Sequence, residues 1–285
     1  MQRTPLGTLA RVLTERVRRD DLLAENWLPY GVHIFDRRTW VIKETSFGVR
    51  IWCSLDERAI SRPILLDAYE PDATHFIART VQPGNLVVDA GANIGYHALH
   101  LAKLVGKMGT VVAFEPLPYL ADALEASMAE NDFISYANIY RKALDQEPGS
   151  LRLRHAPRTA NFGGAHLAPD TAVPEAHADE IVSTVRLDDI IAGRPCHFLK
   201  MDVEGAEPRV IRGARETLTT AKPVILSELH NDQLRIVSNA SADEFIAQMA
   251  GLGYRCSHLR SDGTRGQALE RYSDRVPLNV VFDPR

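Results

Sequence analysis

Two groups of residues in this chain could do chemistry. The first is VVDAGANIGYHA, Val87 to Ala98, followed by Glu115 at the close of VVAFE. An apolar run that ends in an acid and breaks into Gly91-Ala92-Asn93-Ile94-Gly95 before a helical pattern is the strand, turn and helix of a nucleotide-binding α/β sheet. A pyrophosphate fingerprint starting at Gly91 needs glycine at 93 for close backbone approach and at 96 for helix packing. This chain has Asn93 and Tyr96 there. A nucleoside without phosphates needs no such cradle, and S-adenosylmethionine, which carries a sulfonium and an amino acid, is a ligand of that kind. Asp89 is placed to receive its ammonium, directly or through water, and Glu115 to accept both ribose hydroxyls. The rival reading, an NAD-dependent oxidoreductase of Rossmann type, fails on the two missing glycines.

The second group is KMDVEGAE, Lys200 to Glu207, with Glu228-Leu229-His230 further along. Both segments close strand-like runs, and open α/β sheets bind ligands at the carboxyl ends of their strands. Were the donor's methyl passed to an aliphatic hydroxyl, the oxygen would have to be held in line and lose its proton during attack. Asp202, Glu204, Glu228 and His230 are the candidate bases, and strand alternation puts Glu228 and His230 on one side. Asp202 and Glu228 could also hold Mg²⁺, which would orient vicinal hydroxyls and lower the acceptor's pKa. Glu204 and Glu207 read as first-turn helix residues, favoured there by the helix dipole whatever the function. Lys200 reads as their counter-ion. His155, His166 and His177 do not sit at zinc-ligand spacing and read as loop residues. Within the same loop, Asn161-Phe162-Gly163-Gly164 pairs glycines with an aromatic, which permits close approach to a sugar or ring of the acceptor.

Positioning these groups takes an alternating scaffold. Strands at Leu86–Asp89, Thr110–Glu115 and Asn138–Lys142 alternate with helices at Tyr96–Val105 and Tyr119–Glu130, which implies a parallel sheet with right-handed crossovers. Strands at His197–Met201 and Val224–Glu228, with helices around Asp188–Ala192 and at Ala206–Thr220, continue it. A helix at Ala242–Gly251 then leads to strands at Tyr254–His258 and Leu278–Phe282. No helical pattern separates that last pair, so one strand should run antiparallel. Ahead of the sheet, Trp40 to Leu55 reads as a small hairpin bending near Gly48. Leu6, Leu9, Leu13 and Val17 mark an arginine-rich helix that packs on its own domain or on a partner subunit, so a homodimer is compatible with it. The segment between His155 and Asp179 is too long for an idle connection and reads as a lid or acceptor-binding insertion.

The chain has 285 residues, 45% of them hydrophobic, enough for one large domain with an extension. A formal charge of −4 provides no basic field to gather phosphates, which disfavours a nucleic-acid substrate. So does the turn Asp202-Val203-Glu204-Gly205, which lacks the paired prolines and stacking aromatic of enzymes acting on exocyclic amines. Cys53, Cys196 and Cys256 show no C-x-x-C pairing and read as reduced, packing thiols of a cytoplasmic protein. No apolar run has membrane-span length, and no secretory signal pattern opens the chain.

VVDAGANIGYHA, Glu115-Pro116, the run LDDII at Leu187 and KMDVEGAE occur here in the order that resembles the FkbM family of S-adenosylmethionine-dependent methyltransferases. The resemblance runs from about 66, near Tyr69-Glu70-Pro71, to about 230. It implies a class I methyltransferase fold, α/β and Rossmann-like, with a seven-stranded, mostly parallel sheet in the order 3-2-1-4-5-7-6 and one antiparallel strand. It further implies O-methylation of a small hydroxylated acceptor: a sugar, a glycan-like molecule or a polyketide-type natural product. Asp89, Gly91, Asn93, Gly95 and Glu115 match the family's cofactor positions, with Ala143 or Asp145 beside the adenine. Ser127 departs from the family, which often has asparagine there. The expected organisation is an N-terminal extension over 1–65, with a dimer or lid role, and a catalytic domain over 66–285 carrying the insertion at about 146–180.

Overall fold

The computed structural model describes residues 32–35, 38–155, 166–167 and 178–285. The arginine-rich N-terminal helix pattern and Asn161 to Gly164 lie outside these residues. Strands β1 (Val32–Phe35), β2 (Arg38–Glu44) and β3 (Arg50–Ser54) form an antiparallel sheet. The strands that follow are β4 (Leu86–Ala90), β5 (Thr110–Phe114), β6 (Ala137–Tyr140), β7 (Ala143–Leu144) and β8 (Gly149–His155). After them come β9 (His166–Leu167), β10 (Ala178–Val185), β11 (Phe198–Met201), β12 (Val224–Leu229), β13 (Tyr254–Leu259), β14 (Arg265–Ala268) and β15 (Leu278–Pro284).

The central sheet runs β14-β13-β15-β12-β11-β4-β5-β6. Its strands β6, β5, β4, β11 and β12 are parallel neighbours, and β15 pairs antiparallel with both β12 and β13. Without β14, this is the order 3-2-1-4-5-7-6. The eighth strand arises because Gly263, with φ +75°, and the Asp262 carboxylate, which accepts from the Thr264 amide, close a tight turn after β13. Its sequence, RGQA, is largely exposed and lacks the alternation that would mark a strand.

Both faces of the sheet are buried, which is why its strands read as continuous apolar runs. Val87, Val111, Phe198 and Leu226 face one layer, with the hairpin and the helices Pro71–Thr80, Tyr96–Val105 and Pro118–Glu130. Val88, Val112, Leu199 and Ile225 face the other, with the helices Leu187–Ile191, Glu207–Gly213 and Ala242–Gly251. The expected single helix from 206 to 220 is two, Glu207–Gly213 and Arg215–Thr220, because the Asp188 carboxylate accepts the amides of Glu216 and Thr217 and caps the second.

The β2–β3 hairpin docks on the helix Pro118–Glu130. Ser127 Oγ accepts the Trp52 amide at 3.0 Å, and Asn131 accepts the Arg50 amide at 2.8 Å while donating to its carbonyl. Ser127 therefore serves the attachment of this hairpin. The three cysteines are buried free thiols, and burial pushes Cys196 and Cys256 up to about 12.

Gly95 lets the start of the helix Tyr96–Val105 lie against the helix Pro118–Glu130. Its φ is +98°, and a Cβ there would meet Leu124 Cδ1 at 2.4 Å. Gly95→Ala is expected to destabilise the fold by about 2–4 kcal/mol, combining left-handed strain with overpacking. Urea unfolding checks this, and adding Leu124→Ala should relieve only the overpacking part.

Candidate active site

A cavity of about 400 Å³ opens over the carboxyl ends of β5, β4, β11 and β12. The Gly91–Gly95 turn forms its floor. Every backbone amide of that turn is used internally: Gly91 and Ala92 donate to the Phe114 carbonyl, and Asn93 to Glu115 Oε2. Ile94 donates to the Asn93 side chain and Gly95 to the Ala92 carbonyl. The turn's own amides are thus not free to cradle a pyrophosphate, which agrees with the missing glycines at 93 and 96 and not with a dinucleotide. Gly91, with φ +79°, must be glycine because a Cβ would lie 1.9 Å from the Asp202 carbonyl. The ends of β4 and β11 are thereby pressed together.

Glu115 is buried at the end of β5, held by the amides of Asn93 at 2.9 Å and Leu117 at 2.8 Å. Burial pushes its carboxyl up to about 7, against the pull of those two amides. A carboxylate has capacity for about four hydrogen bonds, so Glu115 retains acceptor sites for a ribose diol. Phe114, Ala143, Leu144 and Leu153 form an apolar wall beyond it, suited to a purine. These features fit a phosphate-free nucleoside.

At the other end, Lys200 Nζ lies 3.3 Å from Asp202 and 3.9 Å from Asp89. Burial would strip its proton, but Asp202, Asp89 and Glu70 outweigh that and hold the ammonium well above its usual range. Asp202, Glu204, Glu228 and His230 all line the cavity, as do Gly91, Asn93, Glu115 and Ala143. Burial, with Asp202 beside both, raises the carboxyls of Glu204 and Glu228 far above the ordinary glutamate value.

Three expected cofactor residues are placed elsewhere. Gly95 packs on Leu124, and Asp89 is buried outside the cavity lining with no hydrogen bond to either oxygen. Asp145 is also away from the lining; Arg209 grips both its oxygens at 2.8 and 2.7 Å, which leaves Ala143, of the two, in the apolar wall. Glu204 is not in a first helical turn but precedes one in left-handed backbone, φ +54°, with Gln233 donating to its carboxylate. Mg²⁺ is not supported: among the described residues no three His, Cys, Asp or Glu side chains group to hold a metal, and Asp202 is already paired with Lys200.

Tyr69, Glu70, His97 and Gln233 also line the cavity. The sequence carries the first three in Tyr69-Glu70-Pro71 and VVDAGANIGYHA, but neither segment says that the two meet, and no local pattern marks Gln233. His97 Nε2 lies 2.7 Å from Glu70 Oε2.

The strand order, the sealed turn and the strand-end carboxylates together define a class I S-adenosylmethionine-dependent methyltransferase. The Methyltransferase FkbM domain matches residues 89–256, and the chain belongs to that family. It is similar to the 31-O-demethyl-FK506 methyltransferase FkbM of Streptomyces tacrolimicus, 28% identical over 201 residues, spanning 61% of this chain and 74% of that protein. Methyltransferase sdnD of Sordaria araneosa is 32% identical over 164 residues, 47% of this chain and 62% of the relative, so less than two thirds of it is spanned. A crystal structure of Methyltransferase FkbM from Methylobacillus flagellatus KT superposes with a TM-score of 0.41 at 17% identity, covering 78% of this chain and 54% of that one.

Two outcomes follow. Glu115→Ala should abolish S-adenosylhomocysteine binding in calorimetry, since both the ribose acceptor and the clasp on the Asn93 amide go. Glu204→Gln keeps the oxygen that Gln233 bonds and removes the titratable group. A carboxyl raised by folding holds its proton where the unfolded chain releases it, so its contribution wanes as pH climbs past the unfolded value. The variant should therefore gain stability, by about 1–2 kcal/mol at pH 8 and almost nothing at pH 4, in parallel thermal melts.

Proposed function

We propose that this enzyme methylates a hydroxyl oxygen of a small acceptor. The observation that carries the reading is the convergence of Glu228, His230, Glu204 and Asp202 on the cavity whose far end suits the cofactor. S-adenosylmethionine, when bound, supplies a methyl group already activated by its sulfonium. What the chain adds is orientation of an acceptor oxygen and a place for its proton.

Among the four, Asp202 is tied to Lys200 and is the poorer base. Glu228 suits the role better, because a carboxyl pushed up by burial and neighbouring acids binds a proton more strongly near neutral pH. His230 closes the same strand end, and its buried Nδ1 has no hydrogen-bond partner. An acceptor hydroxyl at this strand end would meet the Glu228 carboxylate as base, with the His230 imidazole as a second polar group lining the cavity. Oxygen as the target is supported further by the relative whose name gives 31-O-demethyl-FK506 as its substrate. The formal charge of −4 and the acidic rim suit a neutral, hydroxylated molecule better than a polyanion.

Glu228→Gln and His230→Ala should keep S-adenosylhomocysteine affinity while kcat falls by about 10²–10⁴, the usual worth of a general base. In the parent enzyme kcat should rise with pH to a midpoint above the ordinary glutamate range, as Glu228 loses its proton. Single-turnover assays on a panel of sugar and macrolide alcohols with labelled methyl donor read both effects. Retained turnover in Glu228→Gln, or labelled nitrogen in place of oxygen in the product, would sink the assignment.

A further inference from the structure

The acid that the sequence offers for the cofactor's ammonium is Asp89, yet it is 0% exposed and outside the cavity lining, with Lys200 as its cation at 3.9 Å. A different carboxylate faces the ligand space at that end. Glu70 lines the cavity with 28% of its side chain exposed, and the buried His97 holds one of its oxygens at 2.7 Å. It sits in left-handed backbone, φ 39° and ψ 60°, immediately before Pro71 starts the helix Pro71–Thr80. A non-glycine residue in that conformation is strained and persists only where its surroundings insist on it.

The strand order sets the ligand's direction. Ala143 and Leu144 lie past β6, Glu115 ends β5, the Gly91 turn follows β4, and Lys200 and Asp202 close β11. A nucleoside with its base against Ala143 and its ribose at Glu115 must send its amino-acid arm across β4 toward β11. Tyr69, Glu70 and His97 line the cavity, Glu70 within reach of the Lys200 charge and Tyr69 within reach of Asp202.

We infer that Glu70, held in place by His97, receives the ammonium group of S-adenosylmethionine, which makes Tyr69-Glu70-Pro71 a clamp on the cofactor's amino-acid arm. Burial pushes the Glu70 carboxyl up, but its hydrogen-bonded contact with His97, with Lys200 behind it, outweighs burial and holds it below the ordinary glutamate range. Asp89 becomes the interior counter-ion of Lys200.

The test uses three ligands in calorimetry: S-adenosylhomocysteine, its decarboxylated analogue, which keeps the amine alone, and 5′-methylthioadenosine, which has no amino-acid arm. Glu70→Gln should weaken the first two by roughly 10- to 100-fold, the worth of a charge-assisted hydrogen bond, and leave the third within about twofold. Glu70→Asp should recover part of the loss. Equal weakening of all three ligands, or of none, overturns the inference. If Glu70→Gln does not fold, His97→Asn keeps the carboxylate but removes its support, and the affinity ratio of homocysteine ligand to methylthioadenosine should drop by about threefold or more; an unchanged ratio overturns it. A parent protein that binds none of the three overturns the cofactor assignment itself.

Discussion

A single buried lysine organises the charges of this site. Lys200 on β11 is registered opposite Asp89 on β4 and points to the layer that contains the cavity. An ammonium 6% exposed survives there only because carboxylates surround it. Those within its reach, Asp89, Asp202 and Glu70, keep it charged, and one cation cannot do the same for every acid nearby. Burial is the largest influence raising the carboxyls of Asp89, Glu204 and Glu228, and Lys200 offsets part of it at Asp89 and Glu228.

Close backbone contact makes that arrangement possible. The missing Cβ of Gly91 lets the end of β11 approach the β4 turn, and the missing Cβ of Gly205 lets the helix Asn231–Ser238 approach through the Gln233 carbonyl, which would otherwise lie 2.4 Å away. Gln233 then reaches Glu204, and His230 enters the cavity from the start of the same helix. The Gly91–Gly95 turn spends its own amides on Phe114, Glu115 and itself. A site so sealed offers side-chain carboxylates and an apolar wall, which is the chemistry of a nucleoside without phosphates.

Much of this was legible because the informative patterns are local. The five parallel strands are apolar runs whose alternate residues face two layers, and the break from apolar run to Gly91-Ala92-Asn93 marks a turn without reference to the rest of the chain. The eighth strand was not legible, since RGQA is an exposed edge with no buried face to impose alternation. The helix break near Ala214 was hidden for another reason: the cap comes from Asp188, 28 and 29 residues away.

The sequence by itself determined the sheet, the turn and the set of carboxylates, since strand periodicity and turn chemistry act between near neighbours in the chain. Tertiary structure decided which of those residues touch the ligand space. Asp145 is drawn away by Arg209 across 64 residues, Asp89 is shut in beside Lys200, and Glu70 is brought to the cavity by His97 from 27 residues off. Such pairings are settled by which charges burial forces together, and burial exists only once the layers have packed.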